Sequence, residues 1–154
     1  MSTHIENDGD FRLALKRLTP PAKIGAGVAF IQRVEGLCRD ERVSHLLSML
    51  ADGNREEEGV QSLQSRVRTL VIEYHARCGG VCDWSSQSAY YVARALQSLL
   101  EGIEGRGNGL WQTAMNCRMA RTCASIQHEE SDLHDESEQQ YRIIENLPEG
   151  SLTI

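Results

Sequence analysis

Two pairs of acidic residues, each spaced by three positions, are the first candidates for chemistry. Glu101 and Glu104 form one pair, and Glu129 and Asp132 form the other. A spacing of three puts both carboxylates of a pair on one face of a helix. Two such pairs on adjacent helices can hold Mg²⁺ and leave substrate phosphates to complete its coordination shell. The spacing therefore predicts a candidate magnesium site that leaves room for the phosphates of a substrate.

The same positions resemble the metal motif of all-helical nucleotide pyrophosphohydrolases of the MazG type. The resemblance implies an enzyme in which Glu101, Glu104, Glu129 and Asp132 bind magnesium. The chain has 22 acidic residues in 154, however, so such spacings also arise by chance, and two glycines place the first pair near a helix end. We therefore keep this enzyme, with Mg²⁺ as its cofactor, as an alternative to a chain without a catalytic site or cofactor.

An acidic stretch from Glu129 to Glu138 is the second candidate. Residues 101–154 hold 4 basic and 10 acidic side chains, which account for the whole net charge of −6. Such a surface attracts a basic protein and speeds its encounter, whereas nucleic-acid binders usually carry a basic face. Exposed Trp and Tyr side chains are typical anchors at protein interfaces. The predicted partner-binding residues are Trp84, Tyr91, Glu129, Glu130, Asp132, Asp135, Glu136 and Glu138.

Histidines and cysteines give two weaker metal motifs. His75, Cys78 and Cys82 are ligand types that zinc prefers, but a structural zinc site needs four ligands, usually in two pairs, and the second pair is missing. His128 and His134 lie among acidic residues, and we interpret that segment as an exposed helix face.

The chain has five cysteines, an odd number, and no signal peptide is expected. These two features predict reduced thiols and a cytoplasmic location.

The elements that position these residues are predicted to be helices. Apolar residues recur every three or four positions between turn signals, and no segment alternates as a strand does. Thr19, Asp10, Asp40 and either Asp83 or Ser85 are expected N-caps. Gly25 and Gly27, near the start of the second helix, are expected to allow close packing.

These helices predict one all-α domain over 1–154, an antiparallel bundle of six or seven helices. Residues 110–147 form one helix or two, because neither Gly nor Pro separates the last two apolar stripes. The ends, 1–9 and 148–154, are expected to fray. No apolar run approaches the ~20 residues of a membrane span.

A further resemblance covers about a third of the chain. The stretch from Asp83 and Trp84 through Tyr90 and Ala93-Arg94-Ala95-Leu96 to Ala114 and Ala120 resembles the YjaG-like family, bacterial helical proteins of unknown function. It is also similar to helical immunity proteins of toxin systems. We therefore predict a small acidic protein-binding module of the immunity or antagonist type, which occludes a basic partner. A second alternative is a homodimeric scaffold that buries the small-residue face of the sixth helix.

Overall fold

The chain folds into an all-α bundle, as the spacing of its apolar residues predicts. The computed structural model describes residues 4–52, 55–78, 83–105, 108–127, 135–148 and 150–153. Its helices are α1 (Asp8–Arg17), α2 (Pro20–Gln32), α3 (Glu41–Ala51), α4 (Arg55–Cys78), α5 (Trp84–Ile103), α6 (Gly109–Gln127) and α7 (Asp135–Glu145), with a 3-10 turn at Glu35–Leu37. Over these described ranges, extended pairing is limited to one antiparallel bridge between Leu18 and Leu152.

Side-chain caps fix where several helices begin. The predicted caps Thr19, Asp40 and Asp83 are confirmed, since each side chain accepts a hydrogen bond from a backbone N–H in the first turn of its helix. The cap predicted at Asp10 is wrong, because α1 begins one turn earlier and Asn7 accepts the hydrogen bond from the Asp10 N–H.

Helices α5 and α6 form an antiparallel hairpin. Ser88, near the start of α5, donates to the carbonyl of Ala120, late in α6, at 2.8 Å. Asn116, earlier in α6, donates to Ser98, later in α5, at 3.1 Å. The earlier residue of α5 thus contacts the later residue of α6, and the later residue of α5 contacts the earlier one of α6. The predicted antiparallel packing is therefore confirmed for these helices.

Helix α4 lies antiparallel against the other side of α5. The His75 ring, near the end of α4, is 5.6 Å from the Tyr90 ring, near the start of α5. Arg68, earlier in α4, lines the same small cavity as Glu101, later in α5. Gly59 interrupts the first turns of α4 with a positive φ of 73°, a conformation that side chains other than glycine rarely adopt.

The N-terminal residues differ from the expectation that residues 1–9 fray. In the described part of this segment, Ile5 is 1 % exposed and belongs to the core. Its backbone N–H donates to a carboxylate oxygen of Glu145 in α7 at 2.7 Å. Burial of the Ile5 side chain and this hydrogen bond hold the segment onto the bundle.

The C-terminal tail also differs from the expectation that residues 148–154 fray. The Thr19 N–H donates to the Ser151 carbonyl at 2.8 Å, and the Thr153 N–H donates to the Arg17 carbonyl at 2.6 Å. The described part of the tail is thus hydrogen-bonded to the connection between α1 and α2.

In the described residues, α6 ends at Gln127 and α7 begins at Asp135, so the two are described as separate helices. Helix α7 packs against α1, where the rings of Phe11 and Tyr141 are 5.2 Å apart. None of the helices in the described ranges combines the length and the apolar character needed to cross a bilayer.

Candidate ligand pocket

A cavity of about 330 Å³ opens between α1, α2, α5 and α6, and we call it the four-helix pocket. Its wall is apolar and is made by Leu15, Ile24, Leu99, Ile103, Leu110 and Trp111. Leu15, Leu99 and Leu110 are buried in the core, whereas Ile24, Ile103 and Trp111 are only half-buried. Apolar side chains that the protein itself leaves partly uncovered, around a space of this size, are typical of a small-ligand site.

Two close helix contacts build the floor of the pocket. A Cβ atom on Gly109 would lie 2.4 Å from the Cα of Gly102, so the backbones of α5 and α6 touch at this end of the hairpin. A Cβ atom on Gly27 would lie 2.4 Å from Leu99 Cδ1, so α2 also lies directly against α5. The predicted role in close packing is confirmed for Gly27 and is wrong for Gly25, where an added Cβ atom would have nothing within 4 Å.

Three cationic side chains surround this apolar wall. The Arg12 guanidinium carbon lies 4.9 Å from the centre of the Trp111 ring, a cation–π arrangement. Lys16 and Lys23, the two lysines of the chain, line the pocket from the last turn of α1 and the first turn of α2. None of the three forms an ion pair with a described residue.

The local charge is opposite to that of the whole chain. From Phe11 to Val34 the sequence has five basic residues and no acidic one, although the chain carries −6 overall. No described residue that lines the pocket is acidic. In addition, α2 and α6 both begin at the pocket, and the N-terminal end of a helix is the positive end of its dipole.

Of the residues predicted to bind a partner, the structure describes the side chains of only Trp84, Tyr91, Glu136 and Glu138. Trp84 is 37 % exposed at the start of α5, and Tyr91 is half-buried, with burial raising the pKa of its hydroxyl. Glu138 is exposed and lies 3.2 Å from Arg142 one turn later. The remaining predicted residues lie outside the described residues or, for Asp135, have a side chain outside them: Glu129, Glu130, Asp132 and Asp135.

Glu136 corrects the prediction of an exposed acidic face. Its side chain is 2 % exposed, with Arg33 Nε at 2.8 Å and Arg121 Nε at 3.1 Å. Arg121 also donates to the Arg33 carbonyl at 2.8 Å. The carboxylate is buried because it joins α7 to α2 and α6, and two guanidinium groups compensate its charge. It therefore holds helices together and is not available to attract a partner.

The four candidate magnesium ligands are only partly described. Glu101 is half-buried, Glu104 is exposed at the end of α5, and Glu129 and Asp132 lie outside the described residues. Gln127, the last residue of α6, lies at the opposite end of the hairpin from Glu101, since α6 is antiparallel to α5. In the part of the chain that the structure describes, no three His, Cys, Asp or Glu residues form a metal-binding group.

The surface proposed for a homodimer is already used inside the chain. Ala114, Cys117 and Ala120, on the small-residue face of α6, are each 0 % exposed. Burial also raises the pKa of the Cys117 thiol. This face packs inside the bundle and is not exposed to a second copy, whereas homodimer formation itself stays a prediction.

Sequence reasoning did not find the four-helix pocket. A signal was present, because both lysines fall in the segment without acidic residues, but the apolar wall comes from two helix pairs, α1 with α2 and α5 with α6, that are distant from each other in sequence. No protein-family model, curated protein or solved structure matches this chain. The resemblances to pyrophosphohydrolases, YjaG-like proteins and immunity proteins therefore remain predictions, and function must be argued from the site itself.

Proposed function

We propose that this protein is a small-ligand-binding protein, and that the four-helix pocket is its binding site. The observation that carries the proposal is the apolar wall in which Ile24, Ile103 and Trp111 stay half-buried around about 330 Å³. Ligand sites are typically apolar clefts of about 300–1,000 Å³ with a few polar groups at defined positions. A ligand that covers these three side chains gains the free energy of removing their apolar surface from water.

Tryptophan fluorescence tests the proposal, because one tryptophan lines the pocket and the other does not. Trp84 and Trp111 are roughly 20 Å apart along the hairpin, given 1.5 Å per helical residue. In Trp84→Phe, Trp111 is the single tryptophan. Titration with decanol, a neutral apolar probe, should shift its emission in a saturable way. In Trp111→Phe, the emission of Trp84 should not change.

A filled pocket and an unrelated surface provide the matched pair of variants. Ile103→Phe, in the Trp84→Phe background, enlarges a side chain of the pocket wall and should weaken decanol binding at least about fivefold. Ile72→Phe makes the same change on α4, where Ile72 is 62 % exposed, and should leave binding unaltered. Equal binding by the two variants, or no response of Trp111, would contradict the proposal.

A further inference from the structure

The cationic rim of the four-helix pocket specifies the chemistry of the ligand. We propose that the ligand is a free amphipathic anion, with a carboxylate or similar acidic head on an apolar body. This inference rests on the proposed function and adds the class of ligand to it. Its basis is that Arg12, Lys16 and Lys23 surround an apolar wall in a segment of the chain without acidic residues.

No carboxylate of a described residue forms an ion pair with Arg12, Lys16 or Lys23, so these side chains are available to a ligand. Arginines elsewhere in the bundle pair with acidic residues, as Arg33 and Arg121 do with Glu136. Neither lysine forms an ion pair with a described residue, and no described lining residue is acidic. In a chain with six more acidic than basic residues, three cations without a described carboxylate partner at one apolar cavity favour an anion there.

The arrangement of cations and wall orients such a ligand. The Arg12 guanidinium lies over the Trp111 ring, so both an acidic head and an apolar body find partners at that side of the pocket. Lys16 and Lys23 approach from either side of the connection between α1 and α2. The body then lies along Leu99 and Ile103 toward the floor, away from the charged rim.

The size of the cavity favours a small molecule over a peptide or a membrane surface. Water occupies about 30 Å³ per molecule in the liquid, so the cavity corresponds to roughly 11 water molecules, or about a dozen heavy atoms of ligand. A helix with its side chains is about 10–12 Å across and does not enter such a space. Decanoate has a suitable size and is the probe of choice.

Three ten-carbon probes separate the head group from the apolar body: decanoate, decanol and decyltrimethylammonium, each below its micellar concentration. In Trp84→Phe, at low ionic strength and neutral pH, decanoate should bind about tenfold tighter than decanol, and the cationic probe should bind more weakly than decanol. The advantage of decanoate should shrink at about 1 M salt, where the screening length is only ~3 Å.

Lysine variants locate the effect at the rim. Lys16→Gln with Lys23→Gln should weaken decanoate binding about 5- to 20-fold, as expected for losing two partly exposed charge contacts, and should change decanol binding less than about twofold. Lys16→Arg with Lys23→Arg keeps both positive charges and should bind decanoate about as tightly as the protein with both lysines does. Arg17→Gln removes an exposed charge next to Lys16 but outside the pocket lining, and should have less than about a twofold effect.

The outcomes distinguish the two proposals. If decanol binds as tightly as decanoate, the anion inference is overturned and the pocket remains a ligand site. If none of the three probes binds, the proposed function fails as well. Binding to phosphatidylglycerol vesicles without binding to monomeric decanoate would identify a membrane surface as the partner and overturn the inference. The anion inference would also be overturned if Arg17→Gln weakened decanoate binding as much as the pair Lys16→Gln and Lys23→Gln does.

Discussion

At the scale of single residues, Asp40 shows how neighbours fix a charge. Its carboxylate accepts hydrogen bonds from Arg42 Nη2 and from the Tyr74 hydroxyl, both at 2.8 Å. The Arg42 hydrogen bond, with smaller help from Tyr74, lowers the pKa of Asp40 to about 2. Burial is the larger cause, and the hydrogen bond to Asp40 the second, of a raised pKa at the Tyr74 hydroxyl. Arg42 also pairs with Glu73 at 2.6 Å, so this small network ties α3 to α4.

Asp40 makes stability depend on pH in the acidic range. Because its folded pKa lies below the ordinary value of 3.8, its contribution is complete above pH 4 and is lost as pH falls toward 2. Asp40→Asn keeps a residue that can cap α3, and it removes the charge together with one of the two oxygens that accept hydrogen bonds from Arg42 and Tyr74. We expect a loss of about 1–2 kcal/mol at pH 7, reduced from the full linkage value because Arg42 is 47 % exposed.

Urea denaturation of Asp40→Asn and the native sequence at several pH values measures this contribution. The difference in the free energy of unfolding should narrow steadily between pH 4 and pH 2. Asp52→Asn, an exposed carboxylate at the other end of α3, serves as the control and should not lose stability. A difference that persists unchanged at pH 2 would show that the charge of Asp40 is not its cause.

At the scale of the elements, glycine contacts decide how closely the helices approach. A methyl group on Gly109 would meet the Gly102 backbone at 2.4 Å and the Ser98 carbonyl oxygen at 2.7 Å, so backbone must move. Gly109→Ala should therefore destabilise the fold by about 1–3 kcal/mol. A methyl group on Gly25, in α2, would have nothing within 4 Å, so Gly25→Ala should stabilise by about 0.5–1 kcal/mol.

Chemical denaturation distinguishes these two substitutions by the sign of their effects. Both exchange glycine for alanine in a helix, and helix propensity favours the change less at Gly109, the first residue of α6, than at Gly25 inside α2. Opposite signs are expected only if α5 and α6 touch at Gly102 and Gly109. Stabilisation of both variants would contradict the close contact that forms the floor of the pocket.

The elements were largely predictable, whereas the site was not. Helix starts at Thr19, Asp40 and Asp83 follow from local cap chemistry, which is written in a few neighbouring residues. Asn7 was missed because Asp10 is an equally good cap by type, and the buried Ile5 just before Asn7 gives no local signal of the earlier start. The local sequence predicts where a helix starts only when a single residue near that point is a good N-cap.

Sites that join distant helices depend on tertiary contacts that sequence spacing does not reveal. Glu136 lies in an acidic run, yet Arg33 reaches it from 103 positions away in the chain, and Arg121 reaches it from the preceding helix α6. The wall of the four-helix pocket likewise brings Leu15 and Trp111 to the same cavity, although they are far apart in sequence. Periodicity showed which faces are apolar, but not which apolar side chains remain half-buried.

At the scale of the whole molecule, charge is divided between two regions. Residues 101–154 supply the net negative charge, whereas the segment from Phe11 to Val34 has only basic residues among its charged ones. Because the second segment carries the rim of the four-helix pocket, the molecule presents a local positive field in an acidic chain. Recognition of a basic partner by Trp84 and the acidic stretch stays a prediction and concerns a different part of the molecule.

The most direct test of the account is an amide NMR titration of the native protein with decanoate. We expect saturable shifts clustered on the Lys23, Gly102 and Gly109 amides and on the Trp111 indole N–H, which belong to residues that line the pocket. The Trp84 indole, roughly 20 Å away along α5, should stay unshifted. Shifts centred on Trp84 or α7, or no saturable shift at the pocket, would contradict the assignment of this cavity as the ligand site.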